Sequence, residues 1–286
     1  MKSDSLFNRD FQDVLKAIVS KINPAAIICF GHNSLAREID NCFTTDTVCS
    51  QHYDILIITS DTTQKTTEVI NTVRKFFPDD LTIHILVHSE SAITVALLEH
   101  HPFFTAVLRE GAMLYKAGET RFEIPSDKPL LDEFKKARKL KEWKRLFELS
   151  NRFLATASDA IGNQYFDIGL FLLHQTIEHL CIASAKAHVG YKLTTHNLNR
   201  LIPFVSCYLS EISEVFPNNT TDEIELFDFL KEAYSDVRYK EFYRVPPNIA
   251  FSLLERVSEF RDIIEEKFQE EFGSEKEESN VPLVSK

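Results

Sequence analysis

His52-Tyr53-Asp54-Ile55-Leu56-Ile57-Ile58-Thr59 decides the fold of the first part of the chain. It is apolar, β-branched and of strand length, which marks a buried strand. Ala25-Ala26-Ile27-Ile28-Cys29-Phe30, ended by Gly31, is a second such run, and Leu81-Thr82-Ile83-His84-Ile85-Leu86-Val87 a third. Between the last two runs in chain order, Thr66 to Phe77 sets Val69, Ile70, Val73, Phe76 and Phe77 at helical spacing, and Pro78-Asp79-Asp80 stops it. Ser91 to His101 predicts another helix, ended by Pro102, and Gly111 to Tyr115 a last edge strand. Alternation of this kind predicts a small α/β domain over residues 1–118.

Outward from there the pattern changes. Residues 119–130 hold Pro125, Ser126, Asp127 and Pro129 without an apolar period, and predict a linker. No strand pattern recurs after it. Phe134, Ala137, Leu140, Trp143, Phe147 and Leu154 form one helical stripe. Tyr165 to Val189 is the most apolar helix, with Gly190 as its C-terminal stop. Helices over Asn197–Val215 (kinked near Pro203), Glu223–Tyr243 and Asn248–Phe268 complete an antiparallel all-α bundle over residues 131–270. Residues 271–286 are polar and acidic, and predict a disordered tail.

Composition narrows the function. A net charge of −11 excludes a protein whose whole surface grips nucleic acid. Only Lys135 to Arg145 is strongly basic; its lysines read as a solvated face, and Trp143 as part of the apolar stripe rather than a stacking platform. No run of about 18 uncharged apolar residues is present, so no membrane partner is expected. The amphipathic start lacks the unbroken apolar stretch of a signal peptide, and a cytoplasmic location is expected. The five cysteines are odd in number and never form C-x-x-C, which suits free thiols.

The order strand, Gly31-His32, a helical stretch with Arg37, His52-Tyr53-Asp54 opening the next strand, then a strand carrying His84 resembles the minimal nucleotidyltransferase domain of the polymerase-β superfamily. The resemblance implies a glycine turn whose backbone approaches a phosphate, and three carboxylates holding two Mg²⁺ ions. It therefore implies nucleotide binding at Gly31, His32, Arg37 and Asp54. The carboxylate set is broken, because His52 and His84 stand where the first and third acids belong, leaving Asp54 alone. Imidazole serves Mg²⁺ poorly, so no catalytic residue is assigned. His52, Asp54 and His84 together make a candidate two-His-one-carboxylate site for Zn²⁺ or Mn²⁺, against the reading that they are drifted relics. Residual transfer would need carboxylates from elsewhere, for instance Asp40, Asp46 or Asp61, to replace the missing ones. The polar stretch Asp40 to Gln51 is expected as a loop bordering the site.

Three blocks of the second part resemble a HEPN domain: Phe171 to Leu180 with His174, Gln175 and Glu178; Thr195-His196-Asn197-Leu198; and Ala233 to Tyr239 with Tyr234 and Arg238. HEPN ribonucleases carry a histidine four to six residues beyond the arginine. Here that window holds none, and Tyr243 occupies its first position. Cleavage then lacks its proton shuttle unless the fold brings His174 or His196 to Arg238. His174, Gln175, Glu178, Tyr234, Arg238 and Tyr243 are a candidate polar site, with a structural network as the simpler expectation, Tyr234 and Arg238 serving as partners for Gln175 and Glu178. Thr195 is the expected cap of the following helix.

The two resemblances together imply an α/β nucleotidyltransferase-like domain fused to a HEPN-like bundle, with loss of transfer activity. The expected function is non-catalytic binding of a nucleotide or nucleic acid, as a homodimer through the helical domain, with a divalent ion or bound nucleotide as candidate cofactor. The alternatives are residual AMP transfer to a protein or small-molecule hydroxyl, and a HEPN-type ribonuclease or toxin–antitoxin component.

Overall fold

The computed structural model describes residues 9–40, 45–60, 65–77, 81–118, 122–125, 133–217, 220–241 and 243–272, with backbone alone at 9–10, 33–40, 45–51, 81–82 and 133–138. Of the expected tail over 271–286, Glu271 and Phe272 are helical instead, and the part from Gly273, together with Asp61 and most of the expected linker, lies outside the described residues. The chain divides into two compact units, Met1–Leu130 and Leu131–Lys286.

In the first unit α1 (Arg9–Ile22) places Phe11, Leu15, Ile18 and Ile22 on one buried stripe. The strands are β1 (Pro24–Asp40), β2 (Thr45–Thr59), β3 (Leu81–Ser89) and β4 (Ala112–Lys116). They form one sheet in the order β3-β2-β1-β4, with β1 antiparallel to β2 and β4, and β2 parallel to β3. One face, carrying Ile27, Cys29, Tyr53, Ile55, Ile57, Ile85 and Val87, shares a core with α1 and α2 (Thr66–Arg74). The alternate residues Ile28, Leu56, Ile58 and Leu86 are buried as well. Against the strands lie α3 (Glu90–Leu98), capped by the Ser89 hydroxyl, and α4 (Pro102–Glu110). Burial on both faces explains why the strands read as continuous apolar runs.

Two expectations about this unit are corrected. Gly31-His32 is no strand-to-helix turn, and Arg37 is not helical: β1 continues to Asp40, with Arg37 opposite Val48. Residues 45–51 are strand rather than loop for the same reason. Thr45, Thr47 and Val48 favour extended backbone, and pairing with them carries Ser34 to Asp40 along. Helix α4 was also not anticipated, because Pro102 read as a terminator; it is instead the first residue of a new helix, a position that suits proline.

The second unit holds α5 (Glu133–Gly162), α6 (Phe166–His188), α7 (Leu198–Ser206), α8 (Ile212–Val215), α9 (Thr221–Tyr239) and α10 (Pro247–Phe272). Helix α6 is its centre, lined by α5, α7, α9 and α10, with Leu170, Leu173, Ile177, Leu180 and Cys181 inaccessible. It is long and apolar enough to cross a membrane, but two-thirds of its apolar window (67%) is buried inside the bundle. Gly190, at φ +72°, takes the left-handed backbone that ends α6. Trp143 is 4% exposed and stacks on Phe268 at 3.9 Å and Phe147 at 5.2 Å, so it belongs to the core.

Candidate functional sites in the two units

Register brings Gly31, Asp54 and His84 abreast on three neighbouring strands, since Gly31 pairs with Asp54 and Asp54 with His84. His52 lies two residues before Asp54 and shares its face. The Asp54 carboxylate is 2% exposed. Its Oδ1 is 3.0 Å from His52 Nε2 and 3.3 Å from His84 Nδ1. Burial opposes ionisation there, but the hydrogen bonds and charge of the two imidazoles outweigh it and hold the carboxyl well below its usual range. Oδ2 fills the space beside Gly31, where an added Cβ would come within 2.4 Å of it. The glycine is thus required by the carboxylate rather than by a phosphate.

This geometry separates the residues that the resemblance grouped. His32 faces the opposite side of the sheet, 4.6 Å from the Tyr53 ring, and burial followed by the nearby His52 lowers its pKa. Arg37 is six residues along β1 from Gly31, about 20 Å away at strand rise. Of the set Gly31, His32, Arg37 and Asp54, only Gly31 and Asp54 meet. Asp46 is eight residues before Asp54 on β2, about 26 Å away, and Asp40 is near the same distal end of the hairpin. Neither replaces a missing acid. A Mg²⁺ pair needs several hard oxygen ligands, and Asp54, already paired with His52 and within 3.3 Å of His84, is the one carboxylate among the described residues here. The residues do not fit that group.

A softer ion would meet a different obstacle. His52 and Asp54 lie within ligand spacing of each other, but His84 does not join them in a grouping whose donor atoms all fall within 4.8 Å. One imidazole would have to swing for a single ion to reach all three. Cys29, next to this site, is buried, and burial pushes its thiol up to about 11, which leaves it inert.

In the helical unit α6 supplies His174, Gln175 and Glu178 from one buried stretch. Glu178 is 4% exposed, and an ionised carboxylate so buried needs a partner. His196 provides it, with Nδ1–H donating to Oε1 over 2.6 Å. The Gln175 amide donates to Oε2 over a longer 3.4 Å. Arg238, expected as a partner, is not one: its Nε donates to the Tyr234 carbonyl at 2.8 Å. The N-terminal cap of α7 is Asn197 rather than Thr195, so His196 precedes the helix and is able to turn toward α6.

Tyr234 gathers the rest. The His196 ring stacks on it at 5.2 Å with 11° between planes, and the His174 ring lies 5.1 Å away. The Arg238 guanidinium sits 4.2 Å over the Tyr234 ring, 5.1 Å from Tyr239 and 6.0 Å from Phe171. Burial, then the charges of His196 and Arg238, lower His174 to about 4, so its imidazole is neutral at physiological pH. The fold therefore brings two imidazoles and the Arg238 guanidinium to one tyrosine ring, although no histidine occupies the window after Arg238 in sequence. Tyr243 is apart from this cluster, its hydroxyl donating to the Phe229 carbonyl at 2.8 Å. His196 was not among the candidate polar-site residues, although the sequence marked it by its place in the Thr195-His196-Asn197-Leu198 block and as one of the two histidines considered for Arg238.

The sequence model of the family described as HEPN domain matches residues 143–267. No curated protein matches the chain. Among solved structures, the chain is similar to the crystal structure of a nucleotidyltransferase-like protein from Exiguobacterium sibiricum, at 11% identity over 90% of this chain and 76% of that one, with a TM-score of 0.29.

Proposed function

We propose, taking residues 143–267 as a HEPN domain, that the chain is a nucleotide- or nucleic-acid-binding protein of the nucleotidyltransferase–HEPN type, and that its α/β unit does not carry out two-metal nucleotidyl transfer. The observation that carries this reading is the state of Asp54. Its Oδ1 already pairs with His52 at 3.0 Å and lies 3.3 Å from His84, its Oδ2 is packed on Gly31, and Asp40 and Asp46, two acids that could have joined it, are strand-lengths away. Transfer chemistry needs an ion to bridge phosphate oxygens and neutralise their developing charge. A buried carboxylate committed to two imidazoles supplies no such platform.

Binding is supported from the other unit, where an exposed arginine, two histidines and several aromatic rings converge on Tyr234. Arginine and exposed aromatic rings are the groups that hold phosphates and bases. Calorimetric titration of the full chain with ATP, GTP and their monophosphates, with and without Mg²⁺, tests the reading. Heat that does not depend on Mg²⁺ supports it. No heat with any of them removes the nucleotide-binding role.

A further inference from the structure

We propose that α3 of the α/β unit is a weak contact between two copies of the chain, the two helices packing antiparallel across a two-fold axis at Val95.

The helix has apolar residues on more sides than it buries. Ile93, Ala96 and Leu97 are buried where α3 lies against β2, β3 and α4. On the other side Val95 is 53% exposed and Leu98 71%, with Ser91, Ala92 and Glu99 exposed beside them. At 3.6 residues per turn these five fall within about 60° of Val95, on one stripe. Leu98 is more exposed than any other large aliphatic side chain among the described residues. A helix that is apolar all round is ordinarily covered all round.

The stripe is complementary to itself, which a contact between identical copies requires. Ser91, Ala92, Val95, Ala96 and Glu99 line a shallow groove, and Leu98 stands out from the same stripe. Antiparallel pairing about Val95 sets Leu98 of each copy against Ala92 of the other, so a large side chain meets the small one that leaves room for it. The same operation sets Ser91 against Glu99 and Glu90 against His100. In both pairs a hydroxyl or an imidazole N–H can donate to a carboxylate. Opposed helix dipoles attract as well. Parallel pairing fails on the same residues: it would set Leu98 on Leu98 and Glu99 on Glu99, with like charges together.

Size limits the strength. The 9 residues of α3 span about 14 Å. One such stripe falls well short of the roughly 800 Å² per partner in a standard interface. The contact is therefore populated at high protein concentration, and it is separate from association through the helical unit.

The test is disulfide trapping in the concentrated full chain. Val95→Cys puts a thiol on the axis, whereas Thr94→Cys puts one on an exposed part of α3 away from the stripe. Under a mild oxidant Val95→Cys is expected to form cross-linked dimer about tenfold faster than Thr94→Cys, because only on the axis do two copies bring their thiols within disulfide reach. The unmodified chain, with its native cysteines, gives the background rate. Adding Leu98→Glu to Val95→Cys is expected to return the rate to that background, with far-UV circular dichroism showing that the variant is folded. Equal rates for Val95→Cys and Thr94→Cys overturn the proposal, since random collision accounts for both. A fast Val95→Cys rate that Leu98→Glu leaves unchanged overturns the seating of Leu98 on Ala92. Purified Val95→Cys that stays uncross-linked, yet traps a different protein in lysate, overturns the second copy as the occupant.

Discussion

His196 Nδ1 donates to Glu178 Oε1 over 2.6 Å, joining the segment before α7 to the buried middle of α6. A carboxylate that is 4% exposed has few other ways to be compensated. His196→Ala should therefore cost about 1–2 kcal/mol, an amount moderated by the exposure of the imidazole. In a double-mutant cycle with Glu178→Gln, the two effects should fall short of additivity by about 1 kcal/mol in urea denaturation. Strict additivity would mean that the two side chains do not interact.

Gly31 makes a second, sharper case. Alanine there would place its Cβ 2.4 Å from Asp54 Oδ2 and 3.1 Å from its Cβ. The carboxylate must move away from one or both imidazoles. We expect Gly31→Ala to destabilise the α/β unit by about 2–3 kcal/mol, as overpacking and a broken buried network do. In an Asp54→Ala background, where Oδ2 is gone, the same change should cost clearly less. An equal cost in both backgrounds would place the strain elsewhere.

Much of this was legible in the residues. The β-branched runs around Ile27, Ile57 and Ile85 are strands, and Val69, Ile70 and Val73 define a buried helical face, because local periodicity reports local burial. The His52–Asp54–His84 group is what the resemblance implies; alternation alone sets only His52 and Asp54 on one face, and it is the pairing of β2 with β3 that puts His84 beside Asp54. What stayed hidden depends on long-range pairing. Arg37 lies in a strand only because residues 45–51 pair with it, and no short window of sequence contains both. The partner of Glu178 is His196, 18 residues away, whereas Arg238, which spacing suggested, turns back on its own helix.

Acid should weaken the helical unit in a defined window. His174 is lowered to about 4 in the folded state by burial and by the charges of His196 and Arg238, against about 6.5 when unfolded. The unfolded chain then binds the extra proton between these values, so stability rises with pH there and is lost as pH falls from about 6.5 to 4. The loss is expected to reach up to about 3 kcal/mol. Urea melts of His174→Gln should show a flatter profile over that range. Asp54 adds a separate limb below about pH 4, since its depressed carboxyl stabilises the fold above the unfolded carboxylate range and is protonated only at lower pH.

Self-association through the helical unit is the expected partner state. Tyr165 and Ile168 at the start of α6 are 64% and 46% exposed, and Phe251 on α10 is 49% exposed. Light scattering on the full chain should give twice the chain mass of 32.9 kDa. Phe251→Ser combined with Ile168→Ser should return it to the monomer. A monomer at all concentrations in the unmodified chain would rule out the homodimer.

The most direct measurement of the central claim is transfer itself. Full-length protein incubated with α-labelled ATP and Mg²⁺ or Mn²⁺, alone and with protein or aminoglycoside acceptors, should release no pyrophosphate and label no acceptor above the protein-free control. Mg²⁺-dependent turnover at an enzyme-like rate, abolished by Asp54→Ala, would contradict the account.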